Sequence, residues 1–71
     1  MRAEFEVHML NESGKQKAQD IAWNFEMCLN SIEIICGAGS SGREMAIVRT
    51  KLEEACFFAK KAMARQSENQ A

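Results

Sequence analysis

Residues 18–37 read AQDIAWNFEMCLNSIEIICG, and how this stretch is read decides the fold. Ala18, Ile21, Phe25, Cys28, Ile32 and Ile35 recur at alternating steps of three and four. That spacing lays one apolar stripe along an α-helix. Ala22, Leu29 and Cys36 widen the stripe. Taken alone, Ile32-Glu33-Ile34-Ile35 would pass for a strand, but the helical spacing runs into it without a break. Gly37 ends the run as a C-cap glycine.

Working outward, nothing interrupts a helical reading, because the chain has no proline. Upstream, Ser13 followed by Gln16 fits a capping box, S-x-x-Q, with Asn11 an alternative cap for the same helix. Helix one is therefore predicted over 13–36. Downstream, residues 37–42 (GAGSSG) form the one flexible stretch, and Ser41 followed by Glu44 fits a second capping box. A second helix, predicted over 42–65, carries Met45, Val48, Leu52, Ala55, Ala59 and Ala62 in the same alternation. Residues 66–71 read as a polar, frayed tail. Two stripes of equal length joined by a short loop make an antiparallel pair. Residues 1–10, with Phe5, Met9 and Leu10, are predicted to add a short N-terminal helix covering one end. The expected fold is all-α, a single helical-hairpin domain over 1–71.

With 71 residues the chain has material for one thin core. Cores of this size rarely supply more than roughly 3–5 kcal/mol without a staple, a metal or a partner. A second set of apolar side chains lies off the main seam: Trp23, Met27 and Ile34 on helix one; Ile47, Phe57, Phe58 and Met63 on helix two. A two-helix pair buries one stripe per helix. Each large side chain is worth roughly 1.5–3 kcal/mol when fully buried, and several left exposed make a sticky monomer. The pattern predicts a homo-oligomer formed through the second faces.

The three cysteines, Cys28, Cys36 and Cys56, are an odd number with no secretory signal, which argues against a disulfide framework. No C-x-x-C pair supports zinc, so the thiols are expected to behave as small buried apolar groups. No metal or cofactor is implied. Net charge is −1, which favours neither duplex DNA nor an anionic membrane. No apolar run approaches the roughly 20 residues of a membrane span. The N-terminus lacks a signal-peptide core, so a cytoplasmic location is expected.

Residues 37–42 match G-x-G-x-x-G letter for letter, but the helical spacing before them, and a chain too short for a doubly wound sheet, argue against dinucleotide binding. A phosphate-binding loop fails too, because Arg43 and Glu44 replace the required Lys and Ser/Thr. A smaller claim survives. The free N–H groups at the start of helix two, with Arg43 beside them, can hold an anion, although an ordinary loop with a solvated arginine has the same letters. Lys15 and Lys17 oppose the dipole of helix one, which suits a phosphate or an acidic neighbour as well as plain solubility. Arg49 and Glu53 form an i,i+4 pair of the usual solvated kind. Thr50 among them could donate to a phosphate or simply pack. Trp23 could stack on a base or anchor an interface; His8 and Phe5 could do likewise. No nucleophile pairs with the one histidine, so catalysis is not expected.

The stretch from Gly42 to Ala62, GREMAIVRTKLEEACFFAKKA, has a GRE…TKLEEA…FA.KA pattern. It resembles the helical hairpin of phage anti-CBASS proteins and is similar to the hairpin of a phage anti-Thoeris sponge family. The resemblance is strongest in helix two and covers most of the chain. It implies a short N-terminal helix, two long antiparallel helices and assembly as a compact hexamer. It further implies binding, without cleavage, of cyclic oligonucleotide messengers: cyclic dinucleotides of the cyclic GMP-AMP type in pockets shared between subunits and, in some members, cyclic trinucleotides at separate sites. Arg43 and the Thr50-Lys51 pair match the family's recurrent letters and are implied phosphate contacts. The relatives' pockets also use an N-terminal aromatic and a lysine; here His8 or Phe5 is the candidate stacker and Lys15 or Lys17 the candidate cation. The competing expectation is an oligomeric helical hairpin that binds a host protein rather than a nucleotide.

Overall fold

The computed structural model describes residues 9–71. Two long helices dominate it, α1 (Glu12–Cys36) and α2 (Arg43–Ala64), with a 3-10 turn at Gly37–Ser41 between them and another at Ser67–Asn69 after them. The described residues contain no strand, only an isolated antiparallel bridge between Leu10 and Gln70. Glu33 meets Arg49, and Phe25 and Leu29 line a groove with Leu52 and Cys56, so the helices run antiparallel. Of the expected N-terminal helix, residues 1–8 lie outside the described residues. Met9 and Leu10 are not helical, since their backbone pairs with the C-terminal segment.

The ends of the helices correct the sequence expectations. Asn11, not Ser13, caps α1: its backbone is extended and its Oδ1 accepts from the Gly14 N–H at 2.8 Å. Gln16 is engaged elsewhere, donating to Asp20 at 3.1 Å. Gly37 takes the positive φ (55°) that closes α1. At the start of α2 no Ser41 capping box forms; Gly42 is the N-cap and no side chain serves it. Gly37–Ser41, expected to be flexible, form the first 3-10 turn.

The contact seam is rotated from the predicted one. Ala18, Ile21, Ala22, Phe25, Leu29 and Ile32 of α1 are at least partly covered, whereas Cys28, Ile35 and Cys36 are exposed. On α2 the seam is Met45, Val48, Leu52, Cys56, Ala59 and Met63, while Ala55 and Ala62 face outward. The physical reason is reach. Helix axes sit roughly 8–10 Å apart; Leu29, Cys56 and Met63 fill more of that gap than Cys28, Ala55 or Ala62 turned inward would, with Ala18, Ala22 and Ala59 on the seam beside them. Of the thiols expected to be buried, only Cys56 is partly covered.

The molecule measures 45 × 24 × 11 Å. Its smallest dimension has room for a single layer of helix, roughly 10–12 Å across with side chains. In the middle of the seam Phe25, Leu29, Leu52 and Cys56 are only partly covered by the described residues. Among the described residues the buried apolar side chains are Met45, 3% exposed, and Met63, at opposite ends of α2. Met45 lies near the inter-helix turn and Met63 near the C-terminal turn.

The expectation of a frayed tail is overturned. Asn69 is 0% exposed. Its side-chain amide donates to the Met63 carbonyl at 3.0 Å and to Gln66 Oε1 at 3.1 Å. Its backbone carbonyl accepts the Asn11 N–H at 3.0 Å, and Asn11 Nδ2 donates to the carbonyls of Glu68 and Gln70 at 2.9 and 3.2 Å. The Ala71 N–H reaches the Met9 carbonyl at 2.8 Å. Residues that look like a polar end are held because their hydrogen bonds are made to the N-cap of α1 rather than to water.

Gly14 shows how close this approach is. A Cβ there would overlap the Asn69 carbonyl oxygen and press on Leu10 at 3.0 Å. Alanine gains about 1 kcal/mol over glycine inside a helix, while overpacking costs typically about 1–3 kcal/mol. The carbonyl cannot retreat without breaking its own bonds, so the clash decides the sign. Gly14→Ala should lower unfolding stability by about 1–2 kcal/mol in urea titration. Gly39→Ala, where an added methyl meets nothing, should change it by less than about 0.5 kcal/mol.

Candidate functional site

The candidate phosphate contacts in helix two are set by helical spacing. Arg43, Ala46, Ile47, Thr50 and Lys51 fall on one face and line an open concavity of about 420 Å³. Arg43, Thr50 and Lys51 are all exposed, so the structure brings these three implied contacts together. Lys51 lies 4.0 Å from Glu54, with both side chains well exposed, a pair worth little in water. The Thr50 hydroxyl donates to the Ala46 carbonyl at 3.1 Å, which spends its one proton inside the helix and leaves its oxygen as an acceptor. Arg43 makes no ion pair among the described residues. The volume is at the small end for ligand pockets and open on one side.

Arg49 secures this end of the hairpin. Its Nη2 donates to the Ser40 carbonyl at 2.6 Å and lies 3.5 Å from Glu33 Oε2. The expected Arg49–Glu53 pair is therefore replaced by a contact across the seam. A forked guanidinium can join a carbonyl and a carboxylate at once, here linking α1, the turn and α2.

Lys15 and Lys17 sit at the other end. Lys15 is 3.7 Å from Glu12 on the exposed first turn of α1. Lys17 Nζ donates to Asn69 Oδ1 at 2.7 Å, level with the end of α2. At 1.5 Å rise per residue, the Arg43–Lys51 face and Lys17 are roughly 20–30 Å apart, more than a cyclic dinucleotide spans. One protomer does not bring both cation groups to one ligand. His8 and Phe5, the candidate stackers, lie outside the described residues.

Comparison with protein-family models, curated proteins and solved structures finds no match for this chain. Among the described residues, no three His, Cys, Asp or Glu side chains gather as a metal site, and no helix is long and apolar enough to cross a membrane.

Two surfaces were not singled out in the sequence. One is the groove beside the seam, where Phe25, Leu29, Leu52, Cys56 and Phe57 are flanked by Arg49, Glu53 and Lys60. The other runs along the last turns of α2, where Phe58, Lys61, Ala62 and Arg65 share a face. The signal for the second was present, because Phe58, Lys61 and Arg65 stand at steps of three and four. For Asn69 no comparable signal existed, since one asparagine in a polar stretch carries no periodicity.

The Arg49 clasp yields a test. Arg49→Met should speed amide hydrogen exchange across residues 37–42 while costing only about 1 kcal/mol of global stability, as expected for a partly exposed pair and one hydrogen bond. Lys51→Met should leave exchange in that turn unchanged.

Proposed function

We propose that this chain is a sponge: it sequesters cyclic oligonucleotide messengers without cleaving them and so antagonises CBASS antiviral signalling in the cytoplasm of an infected bacterium. The observation that carries the reading is the exposed Arg43–Thr50–Lys51 face, formed by the same letters that carry the GRE…TKLEEA resemblance. The preferred ligands are cyclic dinucleotides of the cyclic GMP-AMP type, with cyclic trinucleotides a second class. No DNA and no membrane takes part.

Magnitudes support a pocket shared between copies. Effective sequestration needs about nanomolar affinity, roughly −12 kcal/mol. A helix terminus offers an anion only about 0.3–1 kcal/mol, and each charge-assisted hydrogen bond roughly 1.5–3 kcal/mol. One open face with three polar side chains falls short. Two or more protomers must converge, the Arg43 face of one beside Lys15 or Lys17 of another, with His8 or Phe5 stacking on a base.

The exposed apolar groups supply the means of assembly. Trp23, Phe57 and Phe58 are each about 60% exposed and Ile34 is 81% exposed. Buried between copies, they would form the core that one chain lacks. The proposed assembly is a homohexamer. The same aromatic groups favour a second reading, an oligomeric hairpin that grips a host protein through Trp23, Phe57 and Phe58.

Calorimetric titration with cyclic GMP-AMP and cyclic tri-AMP, alongside mass by light scattering, separates the two. The sponge reading expects nanomolar binding, intact nucleotide after denaturation and a mass several times the 8.0 kDa monomer. Arg43→Ala should weaken binding by about 10–100-fold, the loss of one charge-assisted contact, with the mass unchanged. Trp23→Glu should lower the mass. A well-folded oligomer that binds neither nucleotide would sink the sponge and leave the host-protein reading.

A further inference from the structure

At the start of α1 two lysines lie close in sequence and differ in what they touch. Lys15 faces the Glu12 carboxylate. Lys17 faces a neutral amide, Asn69 Oδ1, at 2.7 Å, and makes no ion pair among the described residues. Asn69 is itself buried and fully bonded: it is 0% exposed, both of its amide hydrogens are used on Met63 and Gln66, and its backbone carbonyl holds the Asn11 N–H. Gly14 beneath it leaves no space for a shift.

We propose that Asn69 is a positioning residue, which holds the Lys17 ammonium as a pre-aimed and unneutralised cation for a phosphate of the bound cyclic nucleotide. The inference rests on the sponge reading and selects Lys17 over Lys15 within it. The chemistry is specific. An ammonium has three donors; Asn69 takes one and leaves two for phosphate oxygens. A carboxylate in the same place would hold the side chain equally well but cancel its charge. A solvated lysine would keep its charge but must lose its rotamer freedom on binding, and holding it beforehand removes that cost. A buried neutral acceptor does both jobs. The C-terminal turn therefore belongs to the binding surface, although it lies far along the sequence from the GRE…TKLEEA stretch.

Asn69→Asp tests this in the full chain, because it preserves size and supplies the neutralising carboxylate, at the loss of the two amide donations to Met63 and Gln66. With cyclic GMP-AMP as probe, calorimetry should show affinity at least tenfold weaker and a shallower dependence on salt, with mass by light scattering unchanged. Lys17→Gln should weaken binding similarly, and the double variant should be no weaker than Lys17→Gln alone, since both remove one interaction. A purely structural Asn69 predicts instead that the two losses multiply. Should Asn69→Asp fail to fold, the wild-type protein still decides: saturation with cyclic GMP-AMP should shift the Lys17 side-chain ammonium resonance and leave the Asn69 side-chain amide in place. An assembled Asn69→Asp variant with wild-type affinity, multiplying losses, or an unmoved Lys17 resonance would each overturn the inference while leaving the sponge intact. Failure of the wild type to bind any cyclic nucleotide would be the different result that removes both.

Discussion

Two helices lying side by side share one line of contact, and everything else in this molecule follows from how little that line can bury. A single layer has no inside along most of its length. Phe25, Leu29 and Leu52 face each other across the seam yet stay partly exposed among the described residues. Among the described residues the buried apolar side chains are Met45, near the inter-helix turn, and Met63, near the C-terminal turn. The hairpin is closed at its ends rather than filled at its centre.

Those closures are polar. At one end the Arg49 guanidinium joins the Ser40 carbonyl to the Glu33 carboxylate. At the other, the Asn11 N–H donates to the Asn69 carbonyl and the Asn11 side chain to the carbonyls of Glu68 and Gln70, across most of the sequence. Each bond is modest in net terms, but buried polar groups are costly to leave unpaired. The ends therefore close as units. Helices held at both ends present their outer faces in a fixed relation, and a rigid surface is what tight binding of a small charged ring requires.

The outer faces carry two kinds of chemistry. Trp23, Met27, Ile34, Ile47, Phe57 and Phe58 offer apolar area in quantity, while Arg43, Thr50 and Lys51 offer charge and hydrogen bonds at one end. Lys17 offers a fixed cation at the other. In the proposed sponge their separation along the hairpin would give assembly a purpose, since one protomer does not bring the two ends to the same ligand. In the proposed sponge the surface that completes the core and the surface that holds the messenger are parts of one arrangement.

The sequence by itself determined the helices and the turn. Three-four spacing and the absence of proline were enough to expect two long helices, and Gly37 the end of the first, because those signals act locally on the backbone; the caps at their starts are Asn11 and Gly42 rather than Ser13 and Ser41. It also determined that Arg43, Thr50 and Lys51 share a face, because helical periodicity requires it. Only the tertiary structure decided which stripe became the seam. Both helices are apolar on more than one side, and the choice of Leu29, Cys56 and Met63 over Cys28, Ala55 and Ala62 depends on side-chain reach across a gap that neither helix encodes alone. Only the tertiary structure decided, too, that Asn69 would be buried against Gly14 and Lys17. That contact joins segments more than fifty positions apart, and no periodicity in one segment reports the hydrogen-bonding needs of another.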